Sequence, residues 1–317
     1  MTVRETLAGG TARLREGNIE GPARDAALLL AGVLRTDRAG IIAAGQENVT
    51  ENTRARFTEL LERRLAGECV AYLLGKKEFR GLDFAVNAAV LVPRPDTETL
   101  VEAALEALGS SSLSPPLPFL DLCTGSGAVA VALKHEAPFL EVWASDISAE
   151  ALEVAAANAA RLLAGPGLPA SGLPQASVPP QDRAALSPSP PIRFLCGDLF
   201  APFSPALRFA YITANPPYVP AGEIDGLAPE VRREPRLALD GGAEGLDILG
   251  RIIAEAPDHL RPGGTLLLEA DPRQMTMLRS LLETEGYHDI KIFRDLPGAE
   301  RVIGGVHPGR SGQGKNV

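Results

Sequence analysis

From Thr2 to about Gly67, apolar residues recur at three- and four-residue spacing, as in Ala26, Leu29, Leu30, Val33 and Leu34, with charges between them. That period lays one apolar stripe along each helix, so residues 1–75 are expected to form a small helical domain. The rhythm then changes. Residues 77–92 nearly alternate, with Phe79, Leu82, Phe84 and Val86 apolar and breaks at Gly81 and Asn87, which predicts a β-hairpin bridging two domains over residues 76–95. The Ser- and Pro-rich stretch 109–118 reads as a loop. Beyond it, short apolar runs alternate with helical segments, the pattern of a parallel α/β domain, here assigned to residues 96–317. Strands are expected at 119–122, 140–145, 192–196, 209–213 and 265–269, and helices at 128–136, 149–163, 246–260 and 274–285. A closing hairpin is expected from 288–294 and 300–306 around Pro297-Gly298. Residues 165–191 carry eight prolines and no apolar period, and are expected to be a flexible insertion.

A chain of 317 residues, 45% of them hydrophobic, is long enough for two packed domains. The three cysteines, Cys69, Cys123 and Cys196, form no C-x-x-C pair, which points to a reducing, cytoplasmic setting. The four histidines are equally scattered, so no metal site is expected. The longest early apolar run, 26–34, is far too short to span a membrane. A net charge of −9 disfavours a partner read through its phosphate backbone, and no stable nucleic-acid binding is expected.

Candidate chemistry begins after the first strand of the α/β domain. Cys123-Thr124-Gly125-Ser126-Gly127 lies between that strand and a helix, where glycines admit positive φ and a helix N-terminus offers unpaired N–H groups. Nineteen residues past Gly127, Asp146 ends the next strand, in place to accept from two ribose hydroxyls. A competing view makes Asp146 a helix cap. After the third strand, Gly197-Asp198-Leu199-Phe200 sets the Asp198 carboxylate where an adenine amino group can donate, although a turn aspartate would look the same. These elements leave the cofactor open, because Gly125 to Ala130 also satisfies the G-x-G-x-x-A of nicotinamide sites.

The segment Asn215-Pro216-Pro217-Tyr218 at the fourth strand's end narrows the choice. Two prolines fix φ and remove two N–H donors, leaving a rigid end rich in acceptors. A planar –NH₂ can donate one hydrogen to the Asn215 side-chain oxygen and one to the Pro216 carbonyl, aiming its nitrogen along one direction, where a sulfonium methyl would lie. Tyr218 is expected to pack against the flat acceptor. Since an amide lone pair is delocalised, positioning and stabilisation of charge developing on nitrogen must carry the catalysis.

Together with Asp25-Ala26, residues Gly67 to Gly75, Leu91-Val92-Pro93-Arg94-Pro95-Asp96-Thr97-Glu98, Asp121 to Gly127, and Glu234-Pro235 before Leu239-Asp240-Gly241-Gly242, these motifs resemble the peptide chain release factor glutamine methyltransferases, the PrmC/HemK family, over most of the chain. The resemblance implies a class I S-adenosylmethionine-dependent methyltransferase fold, Rossmann-like with a mainly parallel seven-stranded sheet, behind a small N-terminal helical substrate-recognition domain. It implies S-adenosylmethionine as cofactor, held by Cys123, Thr124, Gly125, Ser126, Gly127, Asp146, Asp198, Leu199 and Asn215. It also implies that Asn215, Pro216, Pro217 and Tyr218 bind a glutamine of class-1 release factors, with Asn215, Pro216 and Tyr218 catalytic, in a monomeric enzyme. The family often has Gly at the Cys123 position and sometimes an aromatic at Leu199. An Asn-Pro-Pro-Tyr is shared with adenine-N6 methylases, so DNA or RNA amino-group methylation is one rival reading. A non-catalytic nucleotide-binding module is another.

Overall fold

The computed structural model describes residues 1–110, 113, 116–164 and 192–309, so the insertion expected at 165–191 lies outside the described residues. The chain divides into two compact units, one of Met1–Lys76, Val86–Ala88 and Leu227–Glu234, the other of Lys77–Ala85, Ala89–Gly226 and Pro235–Val317. Among the described residues no helix is long and apolar enough to cross a membrane.

The first unit is helical. α1 (Val3–Glu16) starts on a capping box in which the Thr2 side chain accepts from Glu5 N and the Glu5 side chain accepts from Thr2 N. α2 (Pro22–Leu34) opens on a proline, α3 (Arg38–Ala43) is short, α4 (Glu51–Leu65) is capped by Thr50, and α5 (Val70–Leu74) follows. Leu14, Leu29, Leu30, Phe57, Leu60 and Leu61 form the core predicted by the apolar stripe. Asp25 and Arg64 are both buried and pair at 2.9 Å, and Arg64 reaches Glu230 at 3.1 Å, so each charge has a partner where water is excluded.

In the second unit, β1 (Lys76–Phe79) and β2 (Leu82–Ala85) form the expected hairpin. Arg80 and Gly81 turn it with φ of 50° and 74°, the left-handed pair a two-residue hairpin loop requires. Phe79 and Phe84 meet edge to face at 6.0 Å and join the core of the α/β unit. α6 (Glu98–Gly109) is a helix that the sequence reading did not name; it buries Leu100, Val101, Ala104 and Leu108 at helical spacing.

The sheet then builds from β3 (Pro118–Leu122), β4 (Glu141–Asp146), β5 (Arg193–Cys196), β6 (Phe209–Ala214), β7 (Leu260–Glu269), β8 (His288–Arg294) and β9 (Glu300–His307). Its order is β5-β4-β3-β6-β7-β9-β8; β9 alone runs antiparallel to its neighbours. Helices α7 (Ala128–Glu136), α8 (Ala149–Leu162), α9 (Asp247–Glu255) and α10 (Met275–Thr284) complete it. Two boundaries correct the sequence reading. The helix expected to run to 260 stops at Glu255, because Pro257 has no N–H to continue it and a 3-10 turn, Ala256–Asp258, follows. β7 starts five residues before the expected 265, pairing Leu260 with Phe209 across an irregularity in register.

Candidate active site

Successive strands run from β3 outward through β4 and β5, then return to β3's other side with β6, so the strand order reverses between β3 and β6. In open α/β sheets the crevice at the carboxyl ends of such a pair is where ligands bind. The register sets Leu122 beside Ala214, so Cys123 to Gly127 and Asn215 to Tyr218 leave the sheet side by side. A cavity opens there, lined by Cys123, Thr124, Gly125, Ser126, Asp146, Asp198, Leu199, Asn215 and Pro217. Gly127, Pro216 and Tyr218 do not line it. Arg94, whose Pro-Arg-Pro segment the sequence reading set as a rigid linker with a role beside the active site, does, as do Thr97 and Leu237, to which that reading gave no ligand-facing role.

The glycine turn has a separate reason at each position. Gly127 has φ +80° at the start of α7, and a Cβ there would come 3.1 Å from the Ala155 Cβ, so the approach of α8 depends on it. Gly125 has φ +54° and nothing within 4 Å of where its Cβ would be, a bare backbone on the cavity wall. Cys123 adopts φ +55° with a side chain, a left-handed conformation that costs about 1–2 kcal/mol and explains why glycine suits this position. Burial, then Asp146, pushes its thiol well above the ordinary range.

Buried polar groups brace this turn. Asp121, 1% exposed, accepts from the hydroxyls of Thr124 (2.6 Å) and Thr213 (2.8 Å) and from Ala130 N, tying β3 to β6 and to the first turn of α7. Burial raises its pKa to about 7 against those stabilising bonds. Asn158 donates to Ser126 O and Ala85 O, both at 3.0 Å, and accepts from Ala85 N at 2.7 Å.

Asp146 accepts from Gly125 N and Ser148 N, each at 2.9 Å, and from Ile147 N. Burial raises its pKa. The cap of α8 is Ser148, whose hydroxyl accepts from Ala151 N, so the capping view of Asp146 fails. A carboxylate offers about four acceptor sites. Three are in use, which leaves about one for a ligand and makes a second hydroxyl share.

Asp198 has a partner that the sequence reading did not name. Arg251 holds its carboxylate at 2.8 and 3.2 Å, which takes up about two of its four acceptor sites while Asp198 still lines the cavity. Leu199 sits at φ +46° with its side chain buried beside Phe200 and Phe203.

The Asn-Pro-Pro-Tyr segment lies on a bed of glycine. Val219 N donates to Leu239 O and Gly241 N to Val219 O, both at 2.9 Å. Gln274 Nε2 donates to Tyr218 O at 3.0 Å, Gly245 O at 3.1 Å and Glu244 O at 3.2 Å. A Cβ on Gly241 would come 2.7 Å from Pro217 O, so the glycines let the two backbones touch. Asn215 Nδ2 donates to Thr97 Oγ1 at 3.1 Å. Tyr218, expected against the acceptor, directs its hydroxyl to Glu269 at 3.4 Å. Burial, then Glu269, pushes the phenol far above its usual pKa, so it remains a donor. Glu269 is 1% exposed, with its pKa raised to about 7 by burial.

A sheet of this order, with a glycine turn and an acceptor-rich strand end meeting at its switch point, defines the class I methyltransferase fold. The catalytic domain of hMettl16, solved with the MAT2A 3'UTR hairpin 6, shares that fold at TM-score 0.50 and 13% identity, covering 80% of this chain and 83% of its own. The PrmC N-terminal domain matches residues 5–75. Release factor glutamine methyltransferases are similar over nearly the whole length: that of Moorella thermoacetica is 37% identical across 96% of this chain and 98% of its own, and that of Bradyrhizobium diazoefficiens 40% across 95% and 93%. The chain belongs to the release factor glutamine methyltransferase family.

Proposed function

We propose that this enzyme transfers the methyl group of S-adenosylmethionine to the side-chain amide nitrogen of the glutamine in the Gly-Gly-Gln loop of class-1 peptide chain release factors. The observation that carries the reading is Asn215: it leaves β6 at the switch point, lines the cavity beside the glycine turn, and spends its own N–H₂ on Thr97, so its oxygen is available to a donor. The helical unit is assigned recognition of the folded partner, and action on a translation factor makes the setting cytoplasmic.

The residues present fit S-adenosylmethionine. Gly125 presents backbone with no side chain to the cavity, Asp146 keeps acceptor capacity at its edge for a ribose hydroxyl, and apolar Leu199 and Ile248 line it for a flat base. When bound, the cofactor supplies a methyl group made electrophilic by a sulfonium. The chain's own groups do the rest. Asn215 Oδ1 and the carbonyl joining Pro216 to Pro217 accept the two amide hydrogens, orient the nitrogen, and stabilise the positive charge that develops on it. Neither acceptor has to take a proton, because a methylated cationic amide is acidic enough to lose one to water.

Two measurements test this reading. Asp146→Ala is expected to weaken S-adenosylmethionine binding about ten- to a hundredfold, the worth of one charge-assisted hydrogen bond, by calorimetry on the folded variant. Unchanged affinity would return Asp146 to bracing the glycine turn alone. For the substrate, radiolabelled S-adenosylmethionine is offered with an intact release factor, a Gln-to-Asn variant of its loop, and duplex DNA or RNA. Label is expected only in the intact factor. Label in nucleic acid and none in protein would refute the glutamine assignment while leaving the clamp chemistry standing.

A further inference from the structure

Arg94 lines the cavity at the switch point and is half-buried. Among the described residues on that lining it is the only positively charged side chain; the other charged groups there are the carboxylates of Asp121, Asp146 and Asp198. The segment that carries it is fixed. Arg94 stands between Pro93 and Pro95, its backbone extended at φ −96° and ψ 146°, and its carbonyl accepts from Thr97 N at 3.1 Å. Asp96 is held at 3.1 Å by Arg301 of β9, and the Thr97 hydroxyl accepts from Asn215 Nδ2 at 3.1 Å. A planar guanidinium on an otherwise acidic wall gives that place a preference for an anion, and for a carboxylate above all, whose two oxygens match the fork.

S-adenosylmethionine carries a single anionic group. Its sulfonium and ammonium are cations, which the aspartates suit, and its only anion is the carboxylate of the methionine arm. Position agrees with charge. On the reading above, the methyl on the sulfonium faces Asn215 at the end of β6. The adenosine runs along the carboxyl edge to Asp146 at the end of β4 and Leu199 past β5, following the strand order β5-β4-β3-β6. With those two directions taken, the methionine arm is left the wall built by Leu91, Pro93 and Arg94, the segment tied to Asn215 through Thr97. A guanidinium has five donors and a carboxylate takes two of them side by side, so the fork can grip this ligand and keep donors for the protein.

We infer that Arg94 holds the carboxylate of the cofactor's methionine arm, so that one rigid segment, Pro93 to Thr97, anchors the cofactor's tail and braces Asn215. This rests on the reading of the cavity as the S-adenosylmethionine site. Its consequence is selectivity: the same nucleoside without the carboxylate should bind less tightly, and Arg94 should be the reason.

Calorimetry on the full-length enzyme tests it with two ligands that differ only in this group: S-adenosylmethionine and its decarboxylated form, which keeps the sulfonium and the amine. The wild type is expected to bind the first about 10- to 100-fold more tightly. Arg94→Gln should weaken S-adenosylmethionine about 10- to 100-fold and leave the decarboxylated ligand within about twofold, a coupling between residue and ligand group that a distorted cavity would not give. Arg94→Lys, which keeps a charge without the fork, should fall between the two. Equal losses for both ligands, or unchanged S-adenosylmethionine affinity in Arg94→Gln, would overturn the inference. So would a wild type indifferent to the carboxylate, a result that stands even if Arg94→Gln fails to fold. An Arg94→Gln variant that binds both ligands as the wild type does but needs more release factor to reach half its maximal rate would overturn it by moving Arg94 to the protein substrate. The wild type separates the two failures: binding of S-adenosylmethionine without preference for the carboxylate removes only the role of Arg94, whereas binding of neither ligand removes the cofactor reading and this inference with it.

Discussion

Asn215→Ala is expected to lower the rate of methyl transfer by about 10²–10³, the usual consequence of removing one preorganised partner of a developing charge. The argument is differential. In the ground state the substrate amide is neutral and its N–H groups are ordinary donors; as nitrogen bonds carbon it becomes cationic, and hydrogen bonds to acceptors strengthen. Asn215 is fixed for this before substrate arrives, since Pro216 and Pro217 hold the backbone and Thr97 holds the side-chain nitrogen at 3.1 Å. Cofactor affinity should change much less, because the glycine turn and Asp146 stand on β3 and β4, not β6. Rapid-quench single-turnover methylation alongside calorimetry separates the two quantities. Methylation persisting near the wild-type rate would show that the acceptor is held by something else.

The elements that sequence pattern made legible are those whose signal is local. β3 and β6 are buried along their whole length, and a strand covered on both faces reads as a near-continuous apolar run, interrupted here only by Asp121 and Thr213. The glycine turn and Asn-Pro-Pro-Tyr stood out because contiguous residues of unusual φ or missing donors mark them in sequence. α6 was passed over although its apolar residues keep helical spacing, because the Pro-rich segment before it and the Ser- and Pro-rich segment after it dominate the reading. The first half of β7 hid behind Arg261-Pro262-Gly263-Gly264, which looks like a turn and pairs only through an irregular register. Groups that meet by tertiary register were out of reach. Thr97 and Asn215 are 118 positions apart, Asp121 and Thr213 are 92 apart, and Glu269 reaches Tyr218 across 51. Nothing near Asp198 in sequence announces its partner Arg251, 53 positions on. Tyr218 was read by its ring alone, and the partner of its hydroxyl, Glu269, lies too far along the chain to be read with it.

Gly245→Ala should damage stability and catalysis together. Gly245 holds φ +73°, and a Cβ there would stand 2.1 Å from Tyr218 O and 2.6 Å from Gln274 Nε2. Neither neighbour can give way cheaply. Tyr218 O is backbone at the end of the clamp segment, and Gln274 is buried with its amide donating to three carbonyls. The left-handed conformation costs an alanine about 1 kcal/mol, and forcing a methyl into packed backbone adds about 1–3 kcal/mol, so a loss of about 2–4 kcal/mol is expected. Gly81→Ala supplies the comparison: at φ +74° with nothing within 4 Å of its Cβ, it should lose only the conformational part, about 1 kcal/mol. Urea denaturation of both variants isolates the steric contribution. Since Tyr218 follows directly on Pro217, the displaced backbone should carry the clamp with it, and a shift approaching 1 Å is enough to slow methyl transfer by up to about 10²-fold in molecules that remain folded. Equal stability losses at Gly245 and Gly81, with turnover unchanged at Gly245, would mean that the glycine bed does not hold the clamp in place.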